Sequence, residues 1–180
     1  MKVLLAAGAL VLSLGAAAQD PDRSKGIYIE GGYGDNSTTS VSLGWIVPWQ
    51  YTESLQSGPW SFYGDFYLSQ WRADLPQDQG SHDYYQIGAI ANWRYRFAQG
   101  ESPWFAEAGI GVTTMNDLFE TPYKEFSTRF QFTEQIGIGR TFGATHAHEI
   151  SLRVQHFSNA HIKTPNPGED FVRLRYVYRY

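Results

Sequence analysis

A histidine and a serine stand two residues apart in the segment His156-Phe157-Ser158-Asn159-Ala160. On an extended strand successive side chains point to opposite faces, so His156 and Ser158 share a face and can approach hydrogen-bonding distance. An imidazole beside a hydroxyl is the core of a nucleophilic hydrolase, because serine is a weak nucleophile until a base takes its proton. Taken alone, the pair is also what any strand end near a loop can carry. Lys163, Pro165-Asn166 and Gly168-Glu169-Asp170 follow, leading into the last stretch of the chain. Other candidates are weaker. His146-x-His148 has no neighbouring cysteine or carboxylate set and reads as solvated, so no metal site is expected. No G-x-S-x-G, P-loop or dinucleotide signature is present, which argues against a soluble α/β hydrolase or a nucleotide enzyme.

The elements that must position this pair are read from parity. Apolar and polar residues alternate in eight segments: 27–33, 39–49, 60–69, 85–97, 104–112, 129–138, 149–155 and 172–180. In the seventh, Ile150, Leu152 and Val154 oppose Glu149, Ser151, Arg153 and Gln155, and the apolar series continues to His156 and Ser158. In the eighth, Val172, Leu174, Tyr176 and Tyr178 oppose Arg173, Arg175 and Arg179. Glu134 interrupts the apolar face of the sixth. A strand irregularity that turns it inward is the expected explanation, although at the hairpin's register it could also neighbour Val154 or His156 as an alternative acid. Across the segments the polar face carries Glu30, Asp65, Arg94, Arg96, Glu107, Arg129, Glu149, Arg153, Arg173 and Arg175, charges of both signs, while tryptophan and tyrosine collect near the ends of the apolar face. A soluble eight-stranded barrel would put its apolar face inside. Paired charges in a narrow lumen with aromatic girdles outside predict an all-β fold, an eight-stranded antiparallel transmembrane β-barrel.

The chain's opening agrees with that destination. Lys2, the apolar run from Val3 to Leu14 and the small residues Gly15 to Ala18 have the form of a secretory signal peptide. The run is shorter than the roughly 20 residues that a membrane-spanning helix needs. Residues 1–18 are therefore expected to be the signal peptide and residues 19–180 the outer-membrane β-barrel. With no cysteine among 180 residues, strand pairing must hold the fold without disulfides. Loss of Lys2 takes the formal charge from -4 to -5, which offers nucleic acid no basic patch. With the N-terminus in the periplasm, connections at 35–38, 73–81, 116–126 and 160–168 face outward, while that at 50–58 is long for a periplasmic turn. His156 and Ser158 then lie at the level of the outer leaflet. The chain ends on an aromatic residue, Tyr180, in an alternating strand, as outer-membrane barrels resembling it do.

The stretch from His156 to Asp170 resembles the lipid A 3-O-deacylase (PagL) family, whose signature is a His-x-Ser-Asn segment followed by an asparagine and an acidic residue. The resemblance is specific over about residues 150–180 and matches the rest in leader, length and barrel pattern. It implies a cofactor-free ester hydrolase of the Gram-negative outer membrane. Such an enzyme removes the ester-linked 3-hydroxyacyl chain at position 3 of lipid A, with lipopolysaccharide as substrate, membrane lipids as surroundings and a homodimer left open. Carried over residue by residue, it makes Ser158 the nucleophile, His156 its base and Asn159 an oxyanion donor. The acid, fourteen residues beyond the histidine by the family's spacing, is Asp170, with the adjacent Glu169 as the alternative. Parity favours Asp170, which shares the face of Val172 and Leu174, whereas Glu169 shares that of Arg173. The family usually has glutamate there, so aspartate is a departure, and His161 stands where the family commonly has glycine. Two rivals remain: a barrel acyltransferase with a lumenal acyl pocket, and a non-enzymatic structural or adhesion barrel whose loops carry the function.

Overall fold

The computed structural model describes residues 20–49 and 58–180, so the expected signal peptide, and nearly all of the connection at 50–58, lie outside the described residues. Eight strands follow in order: β1 (Gly26–Gly34), β2 (Thr39–Pro48), β3 (Trp60–Asp74), β4 (Ser81–Arg96), β5 (Trp104–Met115), β6 (Phe130–Phe142), β7 (His148–Ser158) and β8 (Glu169–Arg179). Each pairs antiparallel with the next, and β8 returns to pair with β1, closing the barrel. Closure leaves no strand edge, which a bilayer requires because lipid cannot satisfy unpaired N–H and C=O groups.

The parity pattern is the barrel's radial pattern. Ile29, Leu43, Leu68, Ile87, Ile136, Leu152 and Leu174 are exposed on the outer wall, while Glu30, Asp65, Arg94, Glu107, Glu149, Arg153, Arg173 and Arg175 are buried in the lumen. Trp45, Trp60, Trp93, Trp104 and Phe142 form the outer girdle at the end of the barrel that carries the N-terminal turn, with Tyr33, Tyr85 and Phe130 at the other. The lumenal charges are paired: Arg175 donates to Glu30 (2.7 Å) and Asp65 (2.6 Å), Arg173 to Glu30 (2.9 Å), and Arg94 to Glu107 (3.0 Å) and Glu149 (2.8 Å). Arg153 pairs with Glu107 as well. A charge taken from water is tolerated only with such partners. At the mouth nearest the N-terminus Asp22, in a short 3-10 turn (Pro21–Arg23), bonds Arg96 and Arg94. At the opposite end the filling changes character, and Trp71, Tyr84, Met115, Phe119, Phe126, Phe157 and Phe171 form an apolar plug.

Two local expectations are corrected. Arg129 is exposed rather than lumenal, because β6 begins one residue later at Phe130 and its guanidinium donates to the Asn116 carbonyl (3.2 Å). Glu134 is not turned inward: β6 and β7 pair without interruption from Phe132↔Ser158 to Phe142↔His148, so Glu134 keeps its parity and stays on the outer wall. At the end that carries the N-terminal turn, His148 opens β7 and its Nδ1 lies 2.7 Å from the Tyr176 hydroxyl, within an aromatic cluster that includes Phe142.

Candidate active site

His156 and Ser158 occupy the last turns of the outward series on β7, and the closed register decides what lies beside them. On one side His156 is paired with Asp170 of β8, and on the other with Glu134 of β6. The site is therefore a row of three outward side chains on adjacent strands. His156 Nδ1 and Asp170 Oδ1 are 2.7 Å apart. An ionised carboxylate only accepts, so this bond holds the proton on Nδ1 and leaves Nε2 with its lone pair free. The side chains of His156 and Asp170 are 41% and 59% exposed, so the pair is open on the outer wall rather than sunk in the barrel. The shorter aspartate reaches the ring because the two residues face each other directly across the strand pair.

Ser158 stands two residues up the same face, half-buried and opposite Phe132. Its hydroxyl makes no hydrogen bond among the described residues, so the structure joins histidine to acid but leaves the serine beside them unbonded. Such a contact commonly tightens only when substrate arrives. Glu134 shares the row without bonding the ring. Glu169 lies on the other side of the wall, fully buried, where it accepts from Lys124 (3.1 Å).

Asn159 departs from the role implied for it. Its side chain is 2% exposed and points inward, where its amide donates to Ser127 Oγ (2.9 Å) and to the Lys163 carbonyl (2.8 Å). Alternation explains this, since a residue next to an outward serine must face in. Asn159 thus clamps the β5–β6 loop (116–129) to the β7–β8 loop (159–168). Its backbone N–H donates to Asn166 Oδ1 (2.8 Å), which sets the Asn166 carboxamide beside the Ser158–Asn159 peptide, and Asn166 Nδ2 lies 3.4 Å from His161 Nδ1.

Asn166 and Gly168 are residues that sequence reasoning names in the stretch but to which it assigns no role. Gly168 has φ +70, and a Cβ built on it would sit 2.6 Å from His156 Cε1 and 3.3 Å from Nε2. The loop backbone therefore lies against the imidazole edge, and only a residue without a side chain fits. The Pro167-Gly168 dipeptide signals a turn, but nothing in the sequence places that turn on the histidine.

A transmembrane barrel with a histidine–carboxylate pair and a serine on its outer wall is the class of molecule that fold and site define. The model of the family "Lipid A 3-O-deacylase (PagL)" matches residues 38–179. The lipid A deacylase PagL of Bordetella bronchiseptica is 34% identical over 176 residues, covering 96% of this chain and 94% of that one. That of Pseudomonas aeruginosa is 27% identical over 161 residues, covering 89% and 87%. The chain belongs to the lipid A 3-O-deacylase (PagL) family. The crystal structure of the outer membrane enzyme PagL superposes with a TM-score of 0.70 at 24% identity, covering 86% of this chain and 99% of that one. A designed transmembrane β-barrel reaches 0.56 at 10% identity, a likeness of fold alone.

Proposed function

We propose that this chain is an outer-membrane lipid A 3-O-deacylase of a Gram-negative cell, hydrolysing the ester-linked 3-hydroxyacyl chain at position 3 of lipid A through Ser158, His156 and Asp170. In this reading His156 Nε2 takes the Ser158 proton as Oγ attacks the ester carbonyl, and Asp170 holds the tautomer and stabilises the imidazolium. The tetrahedral intermediate collapses, the sugar oxygen leaves with the proton from His156, and an acyl-enzyme remains. Water, activated by the same histidine, then releases the 3-hydroxy fatty acid and restores the serine. The scheme consumes only water.

The observation that carries the reading is the 2.7 Å His156–Asp170 bond on the outer wall, with Ser158 on the same face. In this reading the chemistry takes place outside the barrel wall, where an acyl ester of the outer leaflet would lie. For the oxyanion we assign the Asn166 amide in place of that of Asn159, whose amide is committed inward; Asn166 leans on the peptide that follows the nucleophile. The acyltransferase alternative needs a lumenal acyl pocket, and the lumen is occupied by the arginine–carboxylate network and the aromatic plug.

Mass spectrometry of lipid A from cells expressing the protein tests the proposal. The parent should remove one 3-hydroxyacyl chain, and a folded Ser158→Ala variant should leave lipid A intact. Deacylation retained by that variant would transfer the reading to a different nucleophile or to an accompanying enzyme.

A further inference from the structure

One cation at the external mouth stands apart from the lumenal arginines. Lys124, in the β5–β6 loop, places Nζ 2.7 Å from Asp35 Oδ2 and 3.1 Å from Glu169 Oε2. Asp35 follows β1 and Glu169 opens β8, so a single ammonium ties together three segments far apart in sequence. Glu169 has little freedom. It is fully buried, it pairs with Phe157 across the β7–β8 register, and a Cβ built on Gly34 would come within 3.0 Å of its Oε1. A carboxylate in that position needs a counter-charge, because a buried charge without one is strongly disfavoured. Burial works against the Lys124 ammonium, but the hydrogen bond to Asp35 and the charge of Glu169 outweigh it and raise its pKa above the ordinary lysine value.

The next residue after Glu169 is Asp170. Neighbouring side chains on a strand point to opposite faces, so whatever holds Glu169 inward also sets the angle at which Asp170 leaves the wall. The lock and the His156–Asp170 bond lie at consecutive rungs of the same register, Phe157↔Glu169 and His156↔Asp170. An aspartate reaches less far than a glutamate, so its bond to Nδ1 tolerates little rotation of the strand entry.

We propose that Lys124 is a positioning residue for the deacylation reaction: by pinning Glu169 inside the barrel it orients Asp170 toward His156 from the opposite face of the same strand. The inference rests on the deacylase reading of Ser158, His156 and Asp170. Without the ammonium, the buried Glu169 loses its counter-charge, turns toward water and takes the first residues of β8 with it. The His156–Asp170 bond then opens while the outer wall that receives the lipid is unchanged.

The test compares detergent-folded variants by steady-state kinetics on lipid A and by the hydrogen-bonded Nδ1–H proton signal of His156 in protein carrying ¹⁵N-histidine. Lys124→Met should lower kcat at least tenfold with KM within twofold of the parent, and should lose the proton signal. Lys124→Arg should keep both. Lys124→Met combined with Glu169→Leu should recover kcat to within threefold, since no carboxylate is left stranded beside Phe157. If Lys124→Met does not fold, Lys124→Gln supplies the milder version, with a weakened signal and a reduced kcat. A folded Lys124→Met or Lys124→Gln variant with parental kcat and proton signal overturns the inference, and so does a double variant as impaired as the single one. The deacylase reading fails separately, if the parent shows the proton signal yet leaves lipid A untouched.

Discussion

Two neighbouring acids on β8 have opposite surroundings, and the difference sets what their amides should do. Asp170 bonds the imidazole from outside the wall and Glu169 faces Lys124 from within. Asp170→Asn should lower the deacylation rate by about 10³- to 10⁴-fold, because the amide cannot stabilise the imidazolium and can select the wrong tautomer. Glu169→Gln keeps an acceptor for Lys124 without stranding a charge, and should stay within a few-fold of the parent in the same assay. Gly168 offers a test of the ring's seat. Alanine there must hold a left-handed backbone conformation and also displace an imidazole 2.6 Å from its new Cβ. The left-handed cost alone is about 1–2 kcal/mol. Gly168→Ala should therefore reduce kcat by about tenfold or more in protein that still migrates as a folded barrel on unheated gels, and an unchanged kcat would show that the loop does not seat the histidine.

At the scale of the element, strands were legible and loops were not, for a physical reason. Each strand face meets a single medium, lipid outside or paired charge inside, so alternation alone separates Ile150, Leu152 and Val154 from Ser151, Arg153 and Gln155 and carries His156 and Ser158 outward. The same rule placed Asp170 outside and Glu169 inside. It also applied to Glu134, where an outward carboxylate looked like a reason to expect a bulge, yet the ladder runs on unbroken. Loop residues answer to individual partners, some of them far away in sequence. Asn159 is spent on Ser127 and Lys163, Asn166 on the Asn159 N–H, and Lys124 on Asp35 and Glu169; no local pattern announces such ties. The short N-terminal turn is another element of this kind. Burial alone would raise the Asp22 pKa, but the Arg96 hydrogen bond and the charges of Arg94, Arg96 and Arg179 prevail and lower it from 3.8 to about 2. A folded-state pKa below the unfolded value gives stability that is present above about pH 4 and is lost as the pH falls through about 2. The contribution is about 2 kcal/mol. Asp22→Asn should therefore lower urea stability at neutral pH and flatten its dependence on pH between about 4 and 2; parallel curves for the two proteins would show that Asp22 does not carry it.

The whole molecule is a cylinder whose two surfaces have exchanged their usual places, with apolar side chains facing out and ion pairs filling the axis. The folded protein should show a β-type circular dichroism spectrum in detergent and heat-modifiable migration on a gel, and a helical spectrum would contradict the barrel. The proposed site and its scaffold are separated by one strand thickness: His156, Ser158 and Asp170 lie on the outer wall, while Phe157, Asn159 and Glu169 are buried behind it. The filled axis has a consequence for the cell that makes the protein. Among the described residues the axis holds the arginine–carboxylate layers, with Asp22 at one mouth and the ring cluster around Trp71 at the other, and such a filling should leave hydrated ions no continuous water column. An envelope carrying many copies should thus keep its electrical resistance and its resistance to small hydrophilic antibiotics. In a planar bilayer the purified barrel should pass no stepwise current, and regular conductance steps would mean that the interior opens in the membrane.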